Sequence, residues 1–177
     1  ASGDWSGNLF DFYFRIIDRL TSGLKVPFQL RNGLDRIDDT PAHGAVREAL
    51  ANALIHADYH GRRGVVIEKY KDRLTISNPG VLRITMDEAL EGGISDPRNA
   101  SVFKMFVLVN VGERIGSGLQ NLRYVWEQMG LEVPVLRESF SPDRMRLDVV
   151  LWNGDNAGGE GVDILELTPP VTPPRWE

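Results

Sequence analysis

The strongest periodic pattern of apolar and polar positions in the chain begins near Pro41. Apolar residues recur from there at spacings of three and four, which is typical of one buried helix face. Thr40 can act as the N-cap, and Pro41 fits the first turn, where its missing amide would be unpaired anyway. The pattern predicts a helix from Pro41 to about Tyr59, with an inner face formed by Val46, Ala49, Leu50, Ala53, Leu54 and Ala57.

A second stripe on the same helix is polar. Glu48, Asn52 and His56 are each four residues apart and therefore line up along the helix surface. A carboxylate, a carboxamide and an imidazole in one row can position a polar, metal-bound ligand. A polar stripe is also what a solvent-facing helix shows, so both interpretations stand at this point.

The rest of the chain alternates between helical and strand patterns. The stretch 100–111 is apolar nearly all round and predicts a buried helix, and glycines with a proline in 91–99 predict a mobile loop. The order of elements predicts an α+β fold, a two-layer sandwich in which a mixed, mostly antiparallel sheet carries helices on one face. The other predicted helices are 8–20, 86–90 and 119–129, and the predicted strands are 25–31, 65–70, 73–77, 133–140 and 145–152.

Composition and charge narrow the class of protein. The 177 residues fit one domain at 1–152, followed by a flexible acidic, proline-rich tail at 153–177, which carries −4 of the net charge of −5. A nearly neutral body argues against broad binding to a phosphate backbone. The absence of cysteine excludes disulfides and thiolate zinc sites, and fits a cytoplasmic protein. No apolar run is long enough to predict a membrane span.

Two further segments contain candidate chemistry. Asn78, Pro79 and Gly80 stand where a predicted strand stops, so a side chain there can point into a cleft. The stretch 112–118, Gly-Glu-Arg-Ile-Gly-Ser-Gly, is a glycine-rich loop that runs straight into a helix. Backbone amides of such a loop and the helix N-terminus can bind a phosphate, although glycines also occur at helix ends for conformational reasons alone. No G-x4-G-K-S/T run is present, which excludes a P-loop motor.

Taken together, these three segments resemble a known module. Glu-x3-Asn-Ala-x2-His, a strand that ends in Asn-Pro-Gly, and Gly-x-Glu-x2-Gly-Ser-Gly-Leu occur in that order. The chain resembles the GHKL (Bergerat-fold) nucleotide-binding module over roughly residues 8–152. It is most similar to the RecG-like C-terminal ATPase module, which is found behind the DNA-binding domain of AlbA/Schlafen-type transcriptional regulators.

The resemblance implies a role for each matching residue. Glu48 would be the general base that orients the attacking water, and Asn52 would hold Mg²⁺. Asn78 stands where the wider superfamily has the aspartate that reads the adenine amino group. His56 would be either a ligand contact or a packed helix residue. The remaining nucleotide-binding residues would be Gly80 of the same box, Arg98 and Asn99 of the loop over the nucleotide, and the phosphate-cradling Gly116, Ser117 and Gly118.

The chain departs from the superfamily pattern in two places. Asn-Pro-Gly-Val-Leu replaces Asp-x-Gly-x-Gly, and no lysine matches the phosphate-sensing residue of some relatives. ATP binding is therefore a safer inference than ATP turnover. We expect an ATP-binding module, whether or not it also hydrolyses ATP slowly with Mg²⁺, that acts as the switch of a DNA-linked transcriptional regulator. Its partners would be an upstream DNA-binding domain or partner chain and a second copy in a homodimer. The alternative is a degenerate domain of the same fold that does not turn over nucleotide and only mediates dimerisation or protein association.

Overall fold

The computed structural model describes residues 7–22, 24, 30–31, 35–36, 40–61, 63–94, 96–111, 118–151 and 163–167. The fold in these residues is α+β. The helices are α1 (Leu9–Thr21), α2 (Pro41–His56), α3 (Met86–Glu91), α4 (Ala100–Leu108) and α5 (Gly118–Gln128). The strands are β1 (Leu30–Arg31), β2 (Asp35–Arg36), β3 (Val65–Lys69), β4 (Arg73–Pro79), β5 (Val135–Phe140), β6 (Asp143–Val150) and β7 (Asp163–Leu167).

The main sheet supports the site. Within the described residues it has the strand order β5-β6-β4-β3-β7, and every pair in it is antiparallel. Successive side chains of a strand point to opposite faces. Leu74 and Ile76 of β4 and Leu147 of β6 accordingly fall on one face, where all three are buried in the core. The predicted α+β, two-layer architecture is confirmed, and β1 and β2 form a separate antiparallel pair.

Helix α2 is the most deeply buried element of the helical layer. Thr40 precedes it in an extended conformation, and the Thr40 backbone N–H donates to His43 Nδ1 at 3.3 Å. Nine of its sixteen residues are buried, which places the helix between the sheet and its neighbours α1 and α5. Helix α5 packs beside it through Trp126, whose indole N–H donates to the Val150 carbonyl at 2.6 Å. The polar stripe of α2, Glu48, Asn52 and His56, is half-buried in this arrangement rather than fully exposed on an outer helix face.

The end of α2 differs from the sequence prediction. The helix ends at His56, three residues before Tyr59. The carbonyls of Ile55 and Ala57 accept hydrogen bonds from the side chain of Asn99, and Asp58 N–H donates to the Pro79 carbonyl at 2.9 Å. These tertiary partners satisfy the backbone groups that a further helical turn would have used. Apolar periodicity alone does not contain that information.

The prediction of a buried helix at 100–111 is wrong. Helix α4 ends at Leu108, and Phe106 is its one fully buried residue among those described. The Phe106 ring packs against Phe10 and Tyr13 of α1, with centroid distances of 4.8 and 5.1 Å. Leu108, in contrast, is 82% exposed. A mostly apolar helix can lie at the surface when only one side of it packs against a partner.

Part of the predicted flexible tail belongs to the sheet. Residues 163–167 form β7, which pairs with the whole of β3, from Val65 opposite Leu167 to Lys69 opposite Asp163. The stretch Asp-Ile-Leu-Glu-Leu is rich enough in apolar residues for a strand, but its glycine- and proline-rich flanks dominated the composition of 153–177. The domain boundary at 152 stays a prediction, although β7, which lies beyond it, pairs with a strand of the predicted domain.

None of the helices in the described ranges is long and apolar enough to cross a membrane.

Candidate functional site

A cavity of about 150 Å³ opens between the inner face of the sheet and the helical layer. An engineered protein cavity of about this size lined by apolar residues accepts a benzene molecule, so the space suits an aromatic ring system rather than a whole nucleotide. Each of the three segments singled out in the sequence contributes to the wall. The residues that matter are Asn52 and His56 of α2, Ile76 and Asn78 of β4, and Gly118 and Leu122 of α5.

One end of the site is formed where α5 begins against α2. A Cβ atom built on Gly118 would overlap the side-chain amide of Asn52 and would lie 2.9 Å from Glu48 Oε1. Both α2 side chains are half-buried. The last glycine of the loop 112–118 is thus the close neighbour of the predicted general base and the predicted metal ligand. Only a residue without a side chain leaves room for them there.

The other side of the cavity contains Asn78. Its side chain is 7% exposed, and Nδ2 donates to the Pro79 carbonyl at 3.3 Å. No donor among the described residues reaches Oδ1, and Asn78 lines the cavity. A carboxamide has two N–H donors and one acceptor oxygen. With one N–H bonded to the Pro79 carbonyl, Asn78 keeps an acceptor oxygen and a second donor at a position that lines the cavity.

His56 lies at the last position of α2 and also lines the cavity. Burial lowers the pKa of the imidazole, and the nearby Arg98 guanidinium lowers it further. Asp96 acts in the opposite direction, and Arg83 adds to the lowering. At neutral pH the ring is therefore uncharged, with one nitrogen that donates and one that accepts. His56 lies on the wall of the cavity, as the ligand-contact interpretation requires.

An ion pair lies at the edge of the same cavity. Arg83 Nε is 3.0 Å from Asp96 Oδ2, both side chains are 45% exposed, and both residues line the cavity. An exposed pair of this kind contributes about 0–1 kcal/mol. It joins the two ends of a segment that includes α3, none of whose residues is buried. The sequence contains no pattern that pairs Arg83 with Asp96, and both were missed as site residues.

The structure does not bring Arg98 and Asn99 to the cavity. Arg98 Nε donates to the His56 carbonyl at 3.2 Å, and Nη2 donates to the Val81 carbonyl at 2.9 Å. The side-chain amide of Asn99 donates to Ile55 O at 2.9 Å and Ala57 O at 2.7 Å. Neither is among the described residues that line the cavity. Their side-chain N–H groups donate to backbone carbonyls at the end of α2 and at Val81 rather than lining the cavity.

Gly80 is likewise not among the described residues that line the cavity. It adopts φ +92°, and a Cβ there would lie 3.2 Å from both Arg98 Nη2 and Asp58 Cβ. Its conformation and this close approach both favour glycine. Gly116 and Ser117, the other predicted phosphate contacts, lie outside the described residues.

Glu48 and Asn52 have side-chain oxygens of the kind that a hard divalent cation prefers. In the described part of the chain no three His, Cys, Asp or Glu side chains converge to hold a metal ion by themselves. Magnesium ordinarily uses one or two protein oxygens and completes its shell with phosphates and water. The Asn52 carboxamide oxygen next to the Glu48 carboxylate matches that donor set.

A comparison with protein-family models identifies the family of this chain. Residues 62–151, which are 90 of the 177, match the family described as "Putative ATP-dependent DNA helicase recG C-terminal". The chain belongs to this family. It is thus a RecG C-terminal, ATPase-type module, as the resemblance implied. The matched range begins after α2, so the placement of Glu48, Asn52 and His56 rests on the geometry described above.

A solved structure shows the same fold. The DIP2311 protein from Corynebacterium diphtheriae superposes on 81% of this RecG C-terminal module with a TM-score of 0.65 and 18% sequence identity. The aligned part is 29% of that chain, so this chain spans less than a third of the length of its structural relative. No curated protein matches the sequence.

Proposed function

We propose that this RecG C-terminal-type module binds ATP, with the base in the cavity and the phosphates toward the N-terminus of α5. The observation that carries the proposal is the contact of Gly118 with Glu48 and Asn52 at one side of a cavity whose wall also contains Asn78. The acceptor Asn78 Oδ1 suits the amino group of adenine. The size of the cavity suits a base and leaves the phosphates outside it, next to the glycine loop.

In this arrangement the metal and water chemistry belongs to α2. Asn52 would hold Mg²⁺ through its carboxamide oxygen, and the ion would neutralise charge on the phosphates. Glu48, one helical turn away, accepts the proton of the attacking water and orients it. A rigid buried helix keeps these two groups at a fixed separation. We expect hydrolysis by this chain to be slow, because none of its own lysines matches the phosphate-sensing residue of some relatives.

We assign this activity to a switch in a larger, cytoplasmic regulator that also contains a DNA-binding domain or chain. The support is the family description, which refers to a DNA-linked protein, and the short span of this chain relative to its structural neighbour. Binding biases the segment between Arg83 and Asp96, because that segment forms one wall of the cavity. A ligand shifts a two-state segment only through contacts that differ between the states.

A second candidate function is homodimer association without nucleotide turnover. The observation that favours it is the apolar surface of α4, where Met105, Val107 and Leu108 are 49, 37 and 82% exposed. Apolar residues clustered on one exposed helix are typical of interaction surfaces. Asn78, at the position where the wider GHKL superfamily has an aspartate, agrees with this candidate.

Thermal unfolding of the 177-residue chain with Mg²⁺-ATP separates the two candidates. A ligand at 100 times its dissociation constant adds about 2.7 kcal/mol, which raises Tm by about 5–10 °C for a domain of this size. ATP binding predicts this rise, and Mg²⁺ alone serves as the control. An unchanged Tm at millimolar Mg²⁺-ATP, together with a concentration-dependent dimer in sedimentation, would favour the association domain.

A further inference from the structure

Arg98 connects two elements that form the base-binding side of the cavity. Its guanidinium donates to the carbonyl of His56, the last residue of α2, and to the carbonyl of Val81, which follows the Asn-Pro-Gly turn. Each of these backbone groups is next to, or part of, the cavity wall: His56 itself lines it, and so does Leu82. The two bonds fix the distance between α2 and the segment after β4.

The surroundings of Arg98 favour this arrangement. The side chain is half-buried, and bonds from a charged donor to a carbonyl are stronger than neutral ones. The C-terminal end of a helix carries partial negative charge, which a guanidinium complements. Gly80 provides the space, since a Cβ at that position would lie 3.2 Å from Nη2 and 3.3 Å from Cζ of Arg98.

Asn99 reinforces the same connection. Its side-chain amide donates to the carbonyls of Ile55 and Ala57, on either side of the carbonyl that Arg98 takes. Its backbone N–H also donates to Ile55 O at 3.0 Å. The carbonyls of three successive residues at the end of α2, Ile55, His56 and Ala57, therefore accept hydrogen bonds from two adjacent residues. These two, Arg98 and Asn99, lie two and three positions after Asp96.

The distance along α2 separates this region from the phosphate side of the site. Glu48 and His56 are eight residues apart, which is about 12 Å along the helix axis. Arg98 acts on the His56 end of α2, whereas Gly118 meets Asn52 and Glu48 one and two turns earlier in the helix. A change at Arg98 should therefore alter one side of the site selectively.

We propose that Arg98 is a positioning residue for base recognition: through the carbonyls of His56 and Val81 it holds α2 and the Asn-Pro-Gly turn at the separation that a purine requires. This inference rests on the proposed binding of ATP. It gives the Pro97-Arg98-Asn99 segment a role in selecting the base, without contact to the phosphates.

Calorimetric titrations of the full chain with adenosine, Mg²⁺-ATP and Mg²⁺-tripolyphosphate test it. Arg98→Ala should weaken adenosine and ATP about tenfold, the loss expected when charge-assisted bonds that set the pocket width are removed. Tripolyphosphate affinity should stay within about twofold, since Glu48, Asn52 and Gly118 are unaltered. Arg15→Ala, which removes an exposed guanidinium paired with Asp11 on α1, is the matched control and should change none of the three.

Two further variants keep the test decisive if Arg98→Ala fails to fold. Arg98→Lys retains one charged donor and should recover part of the adenosine affinity, because an ammonium cannot reproduce the planar fork that reaches both carbonyls. In Gly80→Ala the added methyl group would press against the Arg98 guanidinium, so this variant should show the same selective loss of adenosine and ATP affinity. Equal losses for all three ligands, or no loss for any, would overturn the positioning role while leaving ATP binding intact. A wild-type chain that binds none of the three would overturn the proposed function itself, and the inference with it.

Discussion

Gly118 and Asn52 are in such close contact that a methyl group on the Gly118 Cα would occupy the space of the Asn52 amide. The two residues are 66 positions apart in the chain and belong to different helices. Their contact joins the glycine loop to the polar stripe of α2, and the site depends on it.

Substitution of Gly118 by alanine should displace Asn52 and the Glu48 carboxylate beside it. We expect Mg²⁺-ATP affinity to fall about tenfold, with an overpacking cost to folding of about 1–3 kcal/mol. Gly61→Ala is the control, because Gly61 is exposed and a Cβ there meets no atom within 4 Å. Titration calorimetry and urea unfolding measure the two effects. Unchanged nucleotide affinity in Gly118→Ala would contradict the placement of the phosphate side.

Replacement of Glu48 by glutamine should separate binding from hydrolysis. The amide keeps the size of the carboxylate but cannot accept the proton of water, so we expect phosphate release to fall about 10²–10⁴-fold while ATP affinity is retained. Glu127→Gln on the exposed side of α5 should hydrolyse ATP at the wild-type rate. If Glu48→Gln does so as well, Glu48 is not the base.

The pKa of His56 predicts a pH dependence of stability. Burial and Arg98 hold it below the usual 6.5, so the unfolded chain takes up a proton first as the pH falls. The free energy of unfolding should therefore decrease as the pH falls below about 6.5 and through the lower folded pKa. The same sign holds for Asp58, whose pKa is lowered chiefly by the His60 backbone N–H, but that loss of stability occurs only below about pH 3.8, the usual pKa of an aspartate.

Urea unfolding of wild type and His56→Gln between pH 5 and 7.5 isolates this contribution. The variant should lose less stability than wild type over that range. Parallel pH curves for wild type and His56→Gln would show that the imidazole is not held in its neutral form.

Helix α4 offers a pair of substitutions that tests its one-sided packing. Phe106 is fully buried against Phe10 and Tyr13, so Phe106→Ala should cost about 3–5 kcal/mol. Leu108→Ala, two residues away but exposed, should change the free energy of unfolding by less than about 0.5 kcal/mol. Chemical denaturation measures both. A comparable cost for Leu108→Ala would mean that the surface of α4 is covered in solution.

The local patterns in the sequence predicted the parts of the site that lie on one element. Spacing of four residues places Glu48, Asn52 and His56 in one row. The glycine loop predicted a phosphate contact at Gly118, whereas its close approach to Asn52 and Glu48 joins two helices and was not predicted. The α+β architecture followed from the order of elements. In each case a single helix or strand period contains the information.

Contacts between distant backbone groups could not be predicted in that way. Arg98 and Asn99 donate hydrogen bonds to backbone carbonyls 42–44 residues away. Every residue has a backbone carbonyl, so no residue type in the sequence marks the carbonyls that accept these bonds. An arginine in the loop predicted to cover a nucleotide suggests a phosphate contact, yet Arg98 donates instead to backbone carbonyls of the protein. Likewise, the apolar stretch 100–111 predicts burial, although burial depends on what packs around the helix.

Titration calorimetry with ATP, with and without Mg²⁺, on wild type and Asn52→Ala tests the central proposal most directly. We predict that wild type binds ATP more tightly with Mg²⁺ than without it. Asn52→Ala should bind with the weaker, metal-independent affinity under both conditions. A wild-type chain that shows no binding at millimolar Mg²⁺-ATP, or an Asn52→Ala variant with the full Mg²⁺ dependence, would contradict the assignment of this cavity and its helix to nucleotide binding.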